Sequence, residues 1–279
     1  MHERKKVDEA IRKNGACQMS RVSITAASVL FFCCFFSWLV CGGGSFPKLV
    51  VERDKPLALS VSESGKRYDL SLPVDFMAEV EGAYDGVSIK DLDGDGVGEV
   101  IFHLVGGGVN SCSKVLYYTE SQRSLNELFF NKGGLCNFKV RNGYVVSSYK
   151  EGAEWVEDVY SIKNGKSEIK VSDRCVGCGE VRRKEYRPDG SFVRLLVSDN
   201  ADFEKRVSRI VKIVSLRARV FSSPGVGFPT NKYLVRGDKV TLVGFDYTLS
   251  EDWVEFRFKE GVTIEGWLKC SDVDVCNKF

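Results

Sequence analysis

The chain has 279 residues, and 40 lysines and arginines against 38 aspartates and glutamates give a formal net charge of +2. This balance argues against a polybasic nucleic-acid-binding protein and against a strongly acidic tail protein. With 43% hydrophobic and 11% aromatic residues the chain can bury one or two cores, which excludes a wholly disordered protein.

The numbers of histidines and cysteines further restrict the kinds of metal centre, active site and cellular compartment that the sequence allows. The chain has two histidines, His2 and His103, and His2 precedes any expected folded region. A histidine-rich metal centre is therefore excluded, and a hydrolytic triad would depend on His103 alone, which we interpret as a half-buried strand residue. Ten cysteines are many for a cytosolic protein of this size and point to an oxidising compartment.

The N-terminus has the pattern of an export signal. Residues 1–21 carry six basic and three acidic side chains, and the 19 residues from Val22 to Val40 carry no charge. That length is close to the roughly 20 residues that span a bilayer as a helix, so a cleaved signal and an uncleaved anchor both stay open. We predict that residues 1–41 are a signal peptide or membrane anchor and that the protein lies in the periplasm or cell envelope. A start at Met19 would give a more conventional signal length.

Cys41 stands directly before Gly42-Gly43-Gly44-Ser45. This arrangement resembles the lipid-modified cysteine of bacterial lipoproteins, which is followed by a flexible tether. Val40 occupies the position where lipoproteins carry a small residue, so lipidation and a plain signal or anchor remain alternatives. Without the net charge of +3 on residues 1–21, the formal net charge of +2 becomes −1 for the rest of the chain. This nearly neutral charge does not indicate any class of partner for the exported part.

From about residue 48 to residue 200 the sequence alternates in short segments, which predicts an antiparallel, β-rich domain. Asn142-Gly143, Asn164-Gly165 and Asp189-Gly190 predict two-residue hairpin turns. Ser124 to Phe130 is the one stretch compatible with a helical turn or two. The predicted strands are Val87 to Lys90, Glu99 to Leu104, Lys114 to Tyr118, Phe138 to Val140, Tyr144 to Tyr149, Trp155 to Ile162, Glu180 to Arg187 and Phe192 to Val197.

Residues 91–99, Asp-Leu-Asp-Gly-Asp-Gly-Val-Gly-Glu, form the sharpest chemical motif. Alternate carboxylates converge on one hard cation only if the chain wraps tightly, and Gly94 and Gly96 supply the positive φ values that wrapping requires. The loop is not an EF-hand, because Phe102 stands at position 12 and no helical pattern flanks it. The expected calcium ligands are Asp91, Asp93, Asp95, the Val97 carbonyl and Glu99.

The acidic loop resembles the calcium loops that join strands in integrin-type repeats and in several exported bacterial β-proteins. The resemblance implies a structural Ca²⁺ that locks a strand connection. The alternative is a polar, glycine-rich hairpin turn with solvated carboxylates. Gly106-Gly107-Gly108 lacks the Gly-Lys-Ser/Thr ending of a phosphate loop, so we expect a turn there, beside the calcium site.

Six cysteines follow Cys41, and six cysteines allow 15 pairings. Local spacing favours Cys112–Cys136, Cys175–Cys178 and Cys270–Cys276. Cys175-Val-Gly-Cys178 also has the spacing of a redox pair or half a zinc site. Zinc requires four ligands, and a redox pair requires a helix N-terminus where the sequence predicts a strand, so a structural disulfide is favoured.

The C-terminal part follows a linker, Ala201 to Ile210, that is compatible with a short helix. Its motifs are a strand ending at Ser-Pro, then Leu234-Val-Arg-Gly237-Asp238-Lys-Val240, then Trp253-Val-Glu-Phe256, then Gly266-Trp267-Leu. This order resembles the bacterial SH3-type domain, which binds cell-wall peptides or proteins through an aromatic-lined groove. The predicted fold is all-β, with a calcium-loop domain over residues 42–205 and an SH3-like barrel over 206–279. Tyr233, Tyr247 and Trp267 are groove candidates unless they only fill the barrel.

These features favour an exported, disulfide-stabilised protein-binding module over an enzyme. The calcium loop and hairpin layout are similar to those of periplasmic inhibitors of lysozyme-like hydrolases and of immunity proteins against cell-wall-degrading effectors. That resemblance implies a cell-wall hydrolase as partner, with the segment Gly106 to Ser111 entering its cleft. The alternatives are an envelope-anchored scaffold or sensor that binds peptidoglycan peptides through the SH3-type domain and, with less support, a cell-wall hydrolase.

Overall fold

A computed structural model describes residues 46–106, 108–248 and 252–276. The predictions for residues 1–41, namely the export signal or anchor, the start at Met19 and lipidation of Cys41, lie outside these residues, as does Gly107. The described residues belong to one compact unit, Gly44–Phe279. Within them, no helix has the length and apolar character needed to cross a membrane.

The predicted all-β fold is confirmed, and every strand pairing in the described residues is antiparallel within one of four sheets. The N-terminal sheet is followed by one short helix and then by the central sheet, in which β8 pairs with β6. These elements are β1 (Lys48–Asp54), β2 (Leu57–Glu63), β3 (Lys66–Leu70), α1 (Val74–Val80), β4 (Tyr84–Lys90), β5 (Glu99–Leu104), β6 (Cys112–Thr119), β7 (Ser124–Leu128) and β8 (Leu135–Cys136).

The large sheet and the C-terminal sheet each have six strands, in the orders β14-β13-β12-β11-β10-β9 and β15-β18-β19-β20-β16-β17. The large sheet consists of β9 (Lys139–Arg141), β10 (Tyr144–Glu151), β11 (Glu154–Lys163), β12 (Lys166–Arg174), β13 (Glu180–Tyr186) and β14 (Phe192–Ser198). The C-terminal sheet consists of β15 (Ile210–Lys212), β16 (Arg217–Phe221), β17 (Pro229–Val235), β18 (Lys239–Asp246), β19 (Trp253–Glu260) and β20 (Val262–Lys269).

The central sheet is buried on both faces, which explains the continuous apolar run in β5. Val100 and Phe102 pack with residues of the N-terminal sheet and α1, including Phe76. Ile101 points to the opposite face and packs with residues of the large sheet, including Tyr160. Strand β5 therefore holds the two cores together and carries one loop at each of its ends.

The segment Ser124 to Phe130 is not helical, because Ser124–Leu128 forms strand β7. Leu125 packs in the core on the N-terminal-sheet side and Leu128 in the core on the large-sheet side. Residues three apart point to opposite faces of a strand but to one side of a helix, so only a strand supplies both cores.

Two hairpin turns are confirmed and one is wrong in length. Asn142-Gly143 and Asn164-Gly165 have positive φ values and connect directly paired strands, as type I′ turns do. At Asp189-Gly190 the last strand pair is Tyr186 with Phe192, so the loop has five residues, 187–191. The carboxylate of Asp189 accepts hydrogen bonds from the backbone and hydroxyl of Ser191, and this local bonding stabilises the longer loop.

The linker from Ala201 to Ile210 contains one 3₁₀ turn, Phe203–Lys205, and then leads into β15. Its Arg206 is buried against the large sheet, where it contacts Asp173 and Glu157. The C-terminal sheet has its own core, and Leu196 of β14 contributes to it. The predicted domain boundary at 205/206 therefore falls in a segment that packs against the large sheet and leads directly into the C-terminal sheet.

Candidate calcium loop and binding loop

The acidic loop, residues 91–98, connects β4 to β5 and is held by its own carboxylates. Asp91 accepts hydrogen bonds from the amides of Gly94 (2.6 Å) and Gly96 (3.1 Å). Asp95 accepts one from the amide of Val97 (2.7 Å). Gly94 and Gly96 have φ values of +81° and +89°, which confirms the wrapping expected from the sequence.

Apolar contacts clamp the loop to both cores of the central sheet. Leu92 is 1% exposed and packs on the large-sheet side, whereas Val97 packs on the N-terminal-sheet side. The ring of Phe46 covers Gly96, where a Cβ atom would lie 3.3 Å from the ring. The loop is therefore a rigid frame for its carboxylates.

Three of the predicted ligands converge. Asp91, Asp93 and Glu99 each place one carboxylate oxygen within 4.8 Å of the others. Oxygens around one Ca²⁺ lie 2.3–2.6 Å from it and hence at most about 5 Å apart, so this spacing suits that ion. Asp95 is exposed and lies outside this set of three.

The converging carboxylates lack cationic partners. Among the ion pairs of the described residues, none involves Asp91, Asp93, Asp95 or Glu99. Glu99 is 5% exposed and accepts one hydrogen bond, 2.7 Å, from the amide of Leu92. Burial and the charges of Asp93 and Asp95 raise the pKa of Glu99 to about 8. An all-oxygen set without a counter-charge, in which Glu99 is buried, Asp93 half-buried and Asp91 exposed, fits a hard divalent cation that solvent can reach.

A cavity of about 420 Å³ leads to these carboxylates. Asp93, Asp95 and Glu99 line it together with Tyr117 and the Asn164-Gly165 turn. A cation therefore has a route from solvent to the loop.

The segment from Val105 to Ser111, here called the binding loop, connects β5 to β6. Val105 and Val109 are 60% and 57% exposed, and Gly106 and Gly108 adopt positive φ. The binding loop lies at the opposite end of β5 from the acidic loop, about 17 Å away along a six-residue strand. The expectation that these glycines lie beside the calcium site is wrong, because β5 leads the chain away from it.

Two asparagines fix the base of the binding loop. Asn110 exchanges hydrogen bonds with the backbone of Lys150, 3.0 and 2.7 Å long. Asn137 donates to the carbonyls of Val109 (2.9 Å) and Ser148 (3.0 Å). Sequence reasoning missed both residues, although each lies within two positions of a cysteine of the Cys112–Cys136 disulfide.

All three predicted disulfides are present, Cys112–Cys136, Cys175–Cys178 and Cys270–Cys276. Cys112–Cys136 joins directly paired residues of β6 and β8 beside the binding loop. His103 lies half-buried on β5, with its Nε2 2.8 Å from the Ser88 hydroxyl and its Nδ1 3.3 Å from that of Ser113. These bonds tie three strands of the central sheet together.

The aromatic candidates of the C-terminal part do not form one surface. Tyr247 is 60% exposed, stacks on Phe245, and lines with Trp267 a cavity of about 840 Å³. Tyr233 lies on β17 beneath the guanidinium of Arg217, 3.9 Å from the ring centre. Trp253 is 1% exposed and fills the core.

No known family model matches the chain, and no curated protein is significantly similar to it. Among solved structures, one described as "Structure of a Xanthomonas Type IV Secretion System related protein" is similar to part of the chain. It is 15% identical, and the match covers 58% of this chain and 88% of that chain with a TM-score of 0.32. A likeness at this level carries no argument about function.

Proposed function

We propose that this protein is an exported, calcium-stabilised binding protein that inhibits a cell-wall hydrolase by inserting its binding loop into the enzyme's cleft. The observation that carries the proposal is the binding loop itself, which presents two exposed valines on a base fixed by Asn110, Asn137 and a disulfide. A loop whose base is already fixed loses less conformational entropy on binding than a free segment, as inhibitory loops require.

Export to the periplasm or cell envelope is part of the proposal. Its support is the apolar segment after a basic N-terminus together with three disulfides, which persist in oxidising compartments. Ca²⁺ at the acidic loop stabilises β5, since Glu99 is both a ligand candidate and the first residue of that strand. Calcium therefore acts on the binding loop through the strand and not by direct contact.

The test measures how fast cell-wall hydrolases clear a peptidoglycan suspension. Lysozymes of several structural classes, lytic transglycosylases and peptidoglycan amidases are each assayed with and without the protein. We expect one class to be inhibited, and Val109→Asp to weaken that inhibition by about 100-fold, because a buried charge opposes insertion into a cleft.

Val226→Asp is the matched control, because Val226 is an equally exposed valine (65%) far along the chain in the turn before β17. Inhibition that survives Val109→Asp, or that both substitutions weaken equally, would contradict the role of the binding loop. The proposal assigns no catalysis to the protein, so clearance of peptidoglycan by the pure protein alone would also contradict it.

A scaffold that binds peptidoglycan peptides is the second candidate. It is favoured by the cavity that Tyr247 and Trp267 line together with Arg194 and Glu255. Binding of purified stem peptides that Trp267→Ala abolishes, without inhibition of any hydrolase, would favour the scaffold.

A further inference from the structure

The three disulfides differ in how far their cysteines are buried. Cys136 is 5% exposed inside the ladder between β6 and β8, and Cys270 is 9% exposed in the core of the C-terminal sheet, while their partners Cys112 and Cys276 are half-buried. In contrast, Cys178 is exposed and Cys175 is half-buried, in the turn between β12 and β13. Among the described disulfides, Cys175–Cys178 is therefore the pair that has an exposed cysteine and no buried one, which makes it the most accessible to a thiol in solution.

The turn that carries this pair is held by bonds that do not involve sulfur. The amide of Val176 donates to the carbonyl of Trp155 (3.1 Å), and the amide of Gly179 donates to the carboxylate of Asp199 (2.8 Å). The amide of Cys178 also donates to the carbonyl of Cys175, 3.1 Å away. These bonds keep the turn in place whether the cysteines are oxidised or reduced.

The Cys175–Cys178 bridge also spans the shortest segment of the three, with a sequence separation of 3 against 6 for Cys270–Cys276 and 24 for Cys112–Cys136. A bridge across a short segment removes little entropy from the unfolded chain, since the stabilisation grows with loop length. The fold therefore gains least from this pair, which makes it the easiest of the three to reduce.

Both cysteines line the cavity of about 840 Å³ that also contains Tyr247 and Trp267. Its volume lies within the range of ligand cavities, and its lining combines aromatic side chains with Arg174 and Arg182, which both bond to Glu154 of the same lining. A thiol-bearing peptide that binds in this cavity therefore comes close to the disulfide.

We infer that Cys175–Cys178 is a thiol–disulfide exchange site whose co-reactant is a thiol. The co-reactant's thiolate attacks Sγ of the exposed residue Cys178, the Cys175–Cys178 bond breaks, and Cys175 leaves as a thiolate that takes up a proton. A second thiolate then attacks the co-reactant's sulfur in the mixed disulfide and releases Cys178. Two electrons pass to the cysteine pair, and two thiols of the co-reactant become one disulfide. This inference is independent of the inhibitor proposal.

The test is stepwise reduction of the full native chain, with free thiols trapped by alkylation and assigned by mass spectrometry. We expect Cys175 and Cys178 to be labelled at a dithiothreitol concentration about tenfold lower than the other two pairs require, as exposed disulfides are more easily reduced. Reduction of all three pairs together, or of another pair first, would overturn the inference. Parallel incubation with glutathione shows whether a monothiol suffices or a dithiol is required.

Two single variants test which sulfur is attacked. Cys175→Ser leaves the exposed Cys178 as a free thiol, whereas Cys178→Ser leaves the half-buried Cys175. We expect the free Cys178 to form a mixed disulfide with glutathione disulfide about tenfold faster, because it is more accessible. Equal rates, or a faster reaction of Cys175, would show that Cys178 is not the sulfur that the co-reactant attacks. The double variant should retain its Tm within about 3 °C, since the backbone bonds of the turn persist.

Discussion

At the scale of single residues, two buried aspartates of the large sheet differ in the hydrogen-bond donors and positive charges that surround them. Asp173 is fully buried and accepts hydrogen bonds from the guanidinium groups of Arg183 (2.8 and 2.7 Å) and Arg206 (2.6 Å). Asp158 is 2% exposed, and Tyr149 and Tyr160 donate to its Oδ2, while its Oδ1 has no hydrogen-bond partner. The negative charge of Asp173 is therefore compensated by guanidinium groups, and that of Asp158 is not.

We expect Asp158→Asn to stabilise the protein by about 1 kcal/mol and Asp173→Asn to destabilise it by about 3 kcal/mol. The first change removes an uncompensated buried charge and keeps an oxygen for the tyrosines. The second removes the anion that the two buried guanidinium groups share, and leaves only Arg206 with a second close carboxylate, that of Glu157. Urea unfolding of both variants at pH 7 measures the two free energies, and a loss of stability in Asp158→Asn would contradict this account.

Glu99 makes the stability of the calcium-free protein depend on pH. Its pKa is about 8 in the folded protein against an ordinary value of 4.5. The folded state therefore binds the proton more tightly than the unfolded state, and stability falls as pH rises from 4.5 to 8. We expect the Tm in chelator to drop by about 5 °C or more over this range and Ca²⁺ to restore it, because the cation replaces the proton as the counter-charge.

Glu99→Gln is the control for this pH dependence, because its amide cannot ionise. The variant should show a flatter Tm profile in chelator and little response to Ca²⁺. Thermal unfolding of the wild type and variant at three pH values measures both effects. A wild-type Tm that ignores millimolar Ca²⁺ at pH 8 would refute the calcium assignment.

At the scale of elements, Gly266 shows why a glycine precedes Trp267 in β20. A Cβ atom at Gly266 would lie 2.6 Å from the carbonyl oxygen of Phe221 and 2.9 Å from a methyl group of Val220. Strand β16 pairs with β20 antiparallel at this point, where Phe221 lies opposite Trp267. The glycine is a packing requirement of the C-terminal sheet.

We expect Gly266→Ala to destabilise the protein by about 3 kcal/mol through overpacking. Gly261→Ala is the matched control, because Gly261 has φ of +75° and open space where its Cβ would lie. That substitution should cost only the backbone strain, about 1 kcal/mol. Chemical unfolding of the two variants gives the comparison, and equal losses would show that backbone conformation alone decides.

Elements with a local signal could be predicted from the sequence, and elements defined by distant partners could not. The apolar run of β5 and the two Asn-Gly turns depend on residues adjacent in the chain, and each disulfide joins cysteines that follow one another in the cysteine order, 3, 6 and 24 positions apart. Strand β7 was missed because the spacing of Leu125 and Leu128 fits a helix until two separate cores are known. Likewise, the spacing of the carboxylates predicted the acidic loop, but the distance of this loop from the binding loop depends on the direction of β5.

At the scale of the whole molecule, the linker joins the large sheet and the C-terminal sheet into one packed structure. Arg206 bridges Asp173 and Glu157 of the large sheet, although 33 positions separate it from Asp173. Leu196 of β14 lies 3% exposed in the core of the C-terminal sheet. Unfolding of the C-terminal sheet would therefore expose Leu196 of the large sheet, and unfolding of the large sheet would expose Arg206 of the linker that leads into the C-terminal sheet.

We predict that the two sheets unfold together, despite the sequence resemblance that separates them at residue 205. Native-state hydrogen exchange should give the slowest amides of β10–β11 and β19–β20 the same opening free energy, within about 1 kcal/mol. Leu196→Ala should lower both values by about 3 kcal/mol, since a shared core residue supports one cooperative unit. If the variant lowered protection only in β19–β20, the C-terminal sheet would unfold on its own. The ion pairs of Arg206 with Asp173 and Glu157 would then not couple the unfolding of the two sheets.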